Sequence, residues 1–426
     1  FDQTIYLEDD GMMMVINGRV ASPDEVGVED VQINAESGSR TGASSWSGWD
    51  GVYGLWTMVT PSGLTLRPSK EGPANWGVSA IDLLKIARHI QGQERLPNPY
   101  AIIAADADRD GRLSAMDIKL LRDVVLGKSN ELPNGSWRFV CKDYEFLNPL
   151  NPLRESFPEE KFVPYGEPIQ NRADFVAVKI GDTYNTLSGD INNRQAAPRH
   201  DVVIMDRSFA IGEQLEVAIN MADYARVGAF QFALKFDATQ LQFNGLQLSE
   251  SLKMDHINIK HADLGLILIS WDHMTGADLS NATIMNIQFT GQADGKLSNM
   301  MEIKDYQMIP EVYLIGSDIQ RTPVLHFEKD PIAGNAFELF QNQPNPFGNQ
   351  TLIKFNIPEA DQVSLTIYDM SGKVIHFEEQ YFAAGMNNFF LDNPAGQWKD
   401  GTYFYRLNTS NYSATKKMII ASAKAE

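Results

Sequence analysis

Asp106-Ala-Asp108-Arg-Asp110-Gly111-Arg112-Leu-Ser114-Ala-Met-Asp117 is the stretch from which the rest of the chain is best read. Carboxylates stand at loop positions 1, 3, 5 and 12 and a glycine at position 6, which is what a hard cation seeking six to eight oxygen ligands requires. Alternate residues point their side chains inward, Gly111 allows the sharp turn, Arg112 offers its carbonyl and Ser114 can hold a water. The predicted metal is Ca²⁺, with Asp106, Asp108, Asp110, Arg112, Ser114 and Asp117 as the ligand set. The plainer alternative is an acidic surface loop that caps a helix.

A helix is expected directly after the loop, and it has a twin. Leu113-Ser-Ala-Met-Asp-Ile-Lys-Leu-Leu-Arg-Asp-Val-Val-Leu-Gly127 aligns without gaps on Val78-Ser-Ala-Ile-Asp-Leu-Leu-Lys-Ile-Ala-Arg-His-Ile-Gln-Gly92. Ser, Ala, Asp and the closing Gly fall at the same offsets, apolar residues recur at helical spacing, and each Gly suits a left-handed C-cap. The same offset places Glu71, Asn75, Gly77, Ser79 and Asp82 as candidate ligands of a second, altered loop. Pro73 can give no side-chain ligand there, and Trp76 stands where the glycine belongs. The alternative for this copy is that Asp82 only caps its helix.

Residues 71–130 therefore resemble a type I dockerin, a duplicated calcium loop and helix module whose usual partner is a cohesin domain. The terminal loop carboxylate is Asp, as in dockerins. The resemblance implies recognition side chains at loop positions 10 and 11. Here these are Ala80-Ile81 and Ala115-Met116, apolar in both copies and unlike the Ser-Thr pair common in cellulosomal dockerins. Apolar pairs leave open docking on a neighbouring domain of the same chain.

On either side of this module the pattern is strand and turn, so the fold class is mainly β: a multi-domain string of β-sandwiches with one small α-helical calcium-loop module. Residues 1–70 contain Met14-Val-Ile-Asn-Gly-Arg-Val20, Val31-Gln-Ile33, Asp50-Gly-Val-Tyr-Gly-Leu55 and Leu64-Thr-Leu66, predicted as a small sandwich. That stretch resembles transthyretin-like or carboxypeptidase-regulatory-like modules, chiefly in its Gly18-Arg-Val20 start and its Asp50-Gly-Val-Tyr53 hairpin, and residues 37–48, rich in Ser and Gly, read as an exposed loop. Residues 131–200 are expected to be a proline-rich connection with strands near 136–140 and 174–180. Residues 201–330 carry short strand candidates at sandwich spacing. Gly212-Glu213-Gln-Leu-Glu-Val217, Phe230-Gln-Phe-Ala-Leu-Lys-Phe-Asp237, Leu241-Gln-Phe243 and Leu268-Ile-Ser-Trp271 resemble, in pattern and order, a cohesin-like domain.

The last module, residues 336–426, holds Leu339-Phe-Gln-Asn-Gln-Pro-Asn-Pro-Phe347, Thr351-Leu-Ile-Lys-Phe355, Val363-Ser-Leu-Thr-Ile-Tyr-Asp-Met-Ser-Gly-Lys373, Gly401-Thr-Tyr-Phe-Tyr-Arg-Leu407 and Lys416-Lys-Met-Ile-Ile420 in order. Ser371-Gly372 and Asp400-Gly401 are expected hairpin bends. The module resembles the type A C-terminal sorting domain of the Bacteroidota type IX secretion system. That resemblance implies the secretion machinery as a partner and a secreted, extracellular or outer cell-surface location.

Composition narrows the function classes. The 426 residues carry 36 basic and 55 acidic side chains, a formal charge of −19, and one cysteine. Phosphate binding draws on clustered Lys and Arg, so nucleic acid is not an expected partner. Cys141 cannot form an internal disulfide, and stability must come from cores or metal. No run of about 18 apolar residues predicts a transmembrane helix. The chain begins at Phe1 without a leader pattern, which suggests a processed product or the C-terminal region of something longer.

Catalysis is not supported. No His-Glu-x-x-His, Gly-x-Ser-x-Gly or phosphate-loop motif occurs, His256 and His261 fit neither one helix face nor one strand face, and Cys141 sits in an apolar strand. Trp271-Asp-His273 offers a sugar platform at most, against the commoner fate of a core aromatic. The expectation is a non-catalytic region of a secreted or surface protein. One alternative is a self-assembling appendage or adhesin subunit built through dockerin–cohesin-like contacts, within the chain or between copies. Another is the accessory tail of a secreted enzyme whose catalytic domain lies upstream.

Overall fold

The computed structural model describes residues 12–37, 40–59, 61–165, 173–184, 197–222, 226–279, 282–316, 320–329, 337–393 and 398–421. They form a mainly β protein with three α-helices among the described residues. The chain divides into two compact units, one of Phe1–Ile204, Phe209–Gly295 and Asn299–His326, the other of Met205–Ser208, Lys296–Ser298 and Phe327–Glu426.

The first sandwich is built from β1 (Met12–Ala21), β2 (Gln32–Ser37), β3 (Arg40–Trp46), β4 (Val52–Val59), β5 (Leu64–Ser69), β6 (Trp137–Cys141), β7 (Lys161–Val163) and β8 (Phe175–Lys179). Its sheets run β4-β1-β8-β6 and β3-β2-β5-β7. Alternation along β1 and β4 turns Ile16, Val20, Tyr53 and Leu55 into a core shared with Ile33, Leu64 and Phe175. Two expectations are corrected here. Residues 131–200 are not simply a connection, because β6, β7 and β8 complete both sheets of this sandwich and the helices are an insertion between β5 and β6. Residues 37–48 are not a loop, because β3 pairs with β2. Its small residues answer to packing, since a Cβ on Gly42 would lie 2.4 Å from the Ala35 carbonyl oxygen.

The insertion holds α1 (Ala80–Ile90), α2 (Pro99–Ala105) and α3 (Ala115–Val125). In both repeat helices the aspartate at the third position accepts a hydrogen bond from the N-cap serine's amide, Ser79 to Asp82 at 3.0 Å and Ser114 to Asp117 at 2.8 Å. Gly92 and Gly127 end the helices at φ of 69° and 62°, the left-handed geometry that a Cβ disfavours. The short α2 was not legible as a periodic pattern. It starts at an Asn98 side chain that accepts from the Ala101 amide at 2.8 Å, with Pro99 in its first turn.

A second sandwich follows: β9 (Arg199–Asp206), β10 (Ser208–Phe209), β11 (Gln214–Met221), β12 (Arg226–Phe236), β13 (Leu241–Leu248), β14 (Ile257–Asn258), β15 (Leu266–Asp278), β16 (Thr283–Gly291), β17 (Gly295–Lys296), β18 (Met301–Lys304), β19 (Glu311–Leu314) and β20 (Gln320–Lys329). The strand path is β13-β16-β11-β9-β20-β19-β12-β15-β14, with β18 also on β12. Trp271 is buried here at 1% exposure, its indole N–H donating to the Ser251 carbonyl at 2.8 Å. Trp271 is thus a core residue and not a sugar platform.

The repeat helices share their core with this sandwich. Leu83, Ile86, Leu121, Val125 and Leu126 pack with Ala233, Leu266 and Leu268 of β12 and β15, while Ala80 and Leu84 meet Ala229. Hydrogen bonds cross the seam as well. The Ala80 amide donates to the Gln231 side chain at 2.8 Å, the Asn258 side chain donates to the Leu126 carbonyl at 2.8 Å, and Arg88 donates to the Met274 carbonyl at 2.9 Å. Arg122 and Asp272 form a largely buried ion pair. Among the apolar pairs singled out in the sequence, Ala80-Ile81 is buried, whereas Ala115-Met116 is exposed.

In the C-terminal unit β21 (Glu338–Leu339), β22 (Gln350–Ile357) and β25 (Gly385–Asp392) form one sheet in the order β21-β22-β25. The other runs β24-β23-β26-β27, made of β23 (Asp361–Tyr368), β24 (Val374–Phe382), β26 (Gly401–Asn408) and β27 (Ser413–Ile420). Ser371-Gly372 does bend a hairpin, between β23 and β24. Asp400-Gly401 does not. It leads from β25 in one sheet to β26 in the other, and Asp50-Gly51 does the same between β3 and β4. A type I′ hairpin needs positive φ at both central residues, and at these corners Gly51 and Gly401 have it without their aspartates.

Leu268 is 2% exposed on the sandwich side of the shared core. Leu268→Ala should cost about 2–5 kcal/mol and speed amide exchange in α1 and α3 as well as in β15, measured by hydrogen exchange. Unchanged helix protection would contradict a common core.

Candidate metal centre

Asp106 ends α2, so the predicted loop runs from the last turn of one helix to the cap of the next. Within it, carboxylate oxygens of Asp106, Asp108 and Asp117 lie within 4.8 Å of one another. Backbone amides fix each carboxylate: Gly111 donates to Asp106 Oδ2 at 3.1 Å, Ala107 to Asp117 Oδ1 at 2.8 Å, and Asp110 to Asp108 Oδ1 at 3.1 Å. Gly111 takes φ 80° at the turn, as expected of the sixth loop position. Arg109, beside it, anchors the loop to the first sandwich by donating to the Trp137 carbonyl at 2.7 Å.

Electrostatics ask for a cation here. Two like charges about 4.8 Å apart repel by roughly 3 kcal/mol at an effective dielectric near 20. Burial, and then the charges of Asp117, Asp108 and Asp110, push the Asp106 carboxyl up to about 6. Burial likewise raises Asp117. Asp106 Oδ1 is buried and accepts no hydrogen bond among the described residues, which is a costly state for a carboxylate oxygen unless a metal takes it. The donor set is all oxygen and suits Ca²⁺ better than a softer ion. Asp110 lies outside the 4.8 Å group and accepts from the Arg112 amide at 2.8 Å. The Ser114 hydroxyl oxygen accepts from the Met116 amide at 3.0 Å as a helix cap.

The first copy is organised otherwise. Glu71 is exposed, and the Asn75 side chain donates to the Gln307 carbonyl at 2.8 Å. Asp82 is fully buried and already saturated. Oδ1 accepts from the Thr183 amide, the Thr183 hydroxyl and the Tyr184 amide at 2.8, 3.0 and 3.1 Å, and Oδ2 from the Ser79 amide and hydroxyl at 3.0 and 3.3 Å. Ser79 is the N-cap of α1 and Gly77 takes φ 73°. Of the five candidates Glu71, Asn75, Gly77, Ser79 and Asp82, Glu71 is exposed, and the side chains of Asn75, Ser79 and Asp82 already hold protein partners. Instead the buried Lys179 ammonium donates to the Ala74 carbonyl, inside this loop, at 2.7 Å and to the Ile180 carbonyl at 2.9 Å. Burial lowers Lys179 to about 8, against the opposing pull of Asp182 and Asp82.

Sequence reasoning missed Lys179 and Thr183, which come from residues 131–200. One signal was available: a lone lysine inside the apolar run Phe175-Val-Ala-Val-Lys-Ile180. Three of the seven histidines hold structural places. His89 accepts from the Leu96 amide and His256 from the Lys253 amide, both at 3.0 Å, and His273 stacks on Trp271. Cys141 is buried, and burial pushes its thiol up to about 11.

Residues 75–126 match the dockerin type I domain family, and residues 343–421 match the secretion system C-terminal sorting domain family. No curated protein matches the chain. Among solved structures, the seventh ScaB type I cohesin of Pseudobacteroides cellulosolvens is 16% identical with a TM-score of 0.23, covering 30% of this chain and 87% of its own. The sixth cohesin of Acetivibrio cellulolyticus scaffoldin B, in complex with a Cel5 dockerin, is 14% identical with a TM-score of 0.23, covering 30% and 99%. CopC from Methylosinus trichosporium is 16% identical with a TM-score of 0.17, covering 21% and 99%.

Lys179→Met would strand the Ala74 and Ile180 carbonyls and remove a positive charge that interacts with Asp82 and Asp182. The expected loss is at least about 1–3 kcal/mol, read from the denaturation midpoint of the full chain.

Proposed function

We propose that this chain is a non-catalytic region of a secreted or cell-surface protein, exported through the Bacteroidota type IX secretion system by its C-terminal domain and stiffened by one Ca²⁺ in the dockerin-like module. Support for export comes from the sorting-domain match over residues 343–421 and from what the motif residues do in the C-terminal unit. The Tyr405 hydroxyl accepts from the Asn342 amide at 2.9 Å and donates to the Phe340 carbonyl at 2.7 Å. The Asn342 side chain in turn donates to Thr351 and to the Pro344 carbonyl at 3.0 Å each. Three separated motif segments thus meet in one buried polar network, which accounts for their appearing together in the sequence.

For calcium, the carrying observation is the unsatisfied Asp106 Oδ1 beside Asp108 and Asp117. Asp106, Asp108 and Asp117 would hold the ion directly, with Asp110, the Arg112 carbonyl and a water on Ser114 as the remaining expected donors. When bound, Ca²⁺ supplies charge neutralisation and a fixed α2–α3 turn, and it stabilises the fold because the unfolded chain has no such site. The saturated Asp82 and the ammonium of Lys179 favour a single ion per chain. The helix face carrying Ala80 and Leu84 already lies on the cohesin-like sandwich, which favours dockerin–cohesin-like pairing within the molecule over pairing between copies.

Titration calorimetry on the full chain should give one Ca²⁺ per molecule, abolished by Asp117→Asn and unaffected by Asn75→Ala, and EGTA should lower the melting temperature. Two ions per chain, or none, would defeat the assignment. Deleting residues 336–426 should leave the protein inside a type IX-competent cell, and normal export of that deletion would remove the sorting role.

A further inference from the structure

A cavity of about 270 Å³ lies where residues 22–30 and the turn at residue 49 of the first sandwich face the first repeat loop, and its walls are aromatic. Trp49, Trp76, Tyr100 and Trp137 line it, together with Lys70 and Asp182. Trp49 is 81% exposed and Trp76 51%. An indole left this open forfeits the burial that makes tryptophan useful to a core, so single exposed apolar groups converging on one hollow call for a reason.

Flexibility is not that reason, because the turn beneath Trp49 is tied down on both sides. Gly48 donates to the Val52 carbonyl at 2.9 Å, Gly51 to the Gly48 carbonyl at 2.8 Å, and Val52 to the Asp50 side chain at 3.0 Å. The Ser47 hydroxyl accepts from the Val31 amide and donates to the Val28 carbonyl, at 2.9 and 2.7 Å. On the opposite wall, the Lys70 ammonium is held by the Glu29 carbonyl at 2.7 Å and stands 5.9 Å from the ring centres of both Trp76 and Trp137. Trp137 is 8% exposed, and its indole N–H finds no acceptor among the described residues.

These features select among ligands. Aromatic walls of this kind suit either a cation or a flat neutral ligand with polar edges. The cation is already built in, since Lys70 covers the two indoles and the buried Lys179 also lines the hollow. Glu29, Asp30 and Asp182 line it too, so hydrogen-bond donors and acceptors both edge the aromatic faces, as a polyhydroxylated ring requires. The volume is below the usual drug-sized range and fits one or two small rings. We propose that this cleft binds a pyranose unit of a glycan, its C–H face on the exposed indoles of Trp49 and Trp76 and its hydroxyls reaching the Lys70 ammonium and the Asp182 carboxylate. The Ca²⁺ loop takes no part, so the two assignments stand or fall separately.

The test uses the full calcium-loaded chain and four probes: cellohexaose, xylohexaose, mannohexaose and chitohexaose. At least one should change tryptophan fluorescence and give a saturable calorimetric isotherm. Trp49→Ala and Trp76→Ala should each weaken it 10-fold or more without shifting the melting temperature, because both rings are exposed. Trp56→Ala, which removes an indole 71% exposed on β4 but outside the cavity, should leave binding intact. No binding by any of the four probes, or binding insensitive to Trp49 and Trp76, or equal loss in the Trp56 variant, overturns the proposal.

Discussion

The apolar seam between α1, α3 and strands β12 and β15 is the contact on which the larger unit depends. Without it, two amphipathic helices of 11 residues each would be marginal in water. With it, Leu83, Leu121, Val125 and Leu268 are buried to within a few per cent, and each such side chain contributes on the order of 1.5–3 kcal/mol relative to exposure. The seam is specific as well as apolar. Gln231 receives a first-turn amide of α1 and Asn258 serves a last-turn carbonyl of α3, so the helix ends are capped by the neighbouring sandwich. A helix pair that slid along the sheet would lose both.

One duplicated pattern has two electrostatic solutions. In the second copy three carboxylates converge and one oxygen is left without a donor among the described residues, an arrangement that a bound cation would relieve. In the first, Pro73 and Trp76 have removed ligand positions, the last aspartate has turned to five protein donors, and a lysine from β8 brings a covalently tethered charge. Burial comes first in raising Asp82, with Asp182 and Glu311 adding to it. The two copies keep one cap contact, the N-cap serine amide donating to the aspartate three residues on, while only the Ser114 hydroxyl also accepts from a helix amide.

Much of this was legible in the sequence because it depends on local spacing. The loop from Asp106 to Asp117, the twin helices and the strands at β11, β12, β15 and β16 follow from period and turn chemistry alone. What was not legible depends on residues far apart in the chain. The assignment of β6 and β8 to the first sandwich needs the partner β1, and the failure of Asp50-Gly51 and Asp400-Gly401 to make hairpins needs the knowledge of which sheet each flanking strand joins. Lys179 was read as part of a strand, since nothing within a few residues says what its ammonium meets. Nothing in the spacing marks Trp49 and Trp76 as neighbours, because their convergence is created only when the inserted helices fold back.

The insertion between β5 and β6 also sets how far apart in the chain the strands of the first sandwich lie. The Arg19 amide donates to the Asp174 side chain, 155 residues away, and β1 pairs in parallel with β8. Closing a flexible loop of that length costs roughly 2 kcal/mol more than closing a ten-residue one. A folded insert shortens the distance to be searched. The helices therefore act on the first sandwich as a staple acts on a long thread: once folded, they hold β6 and β8 within reach of β1.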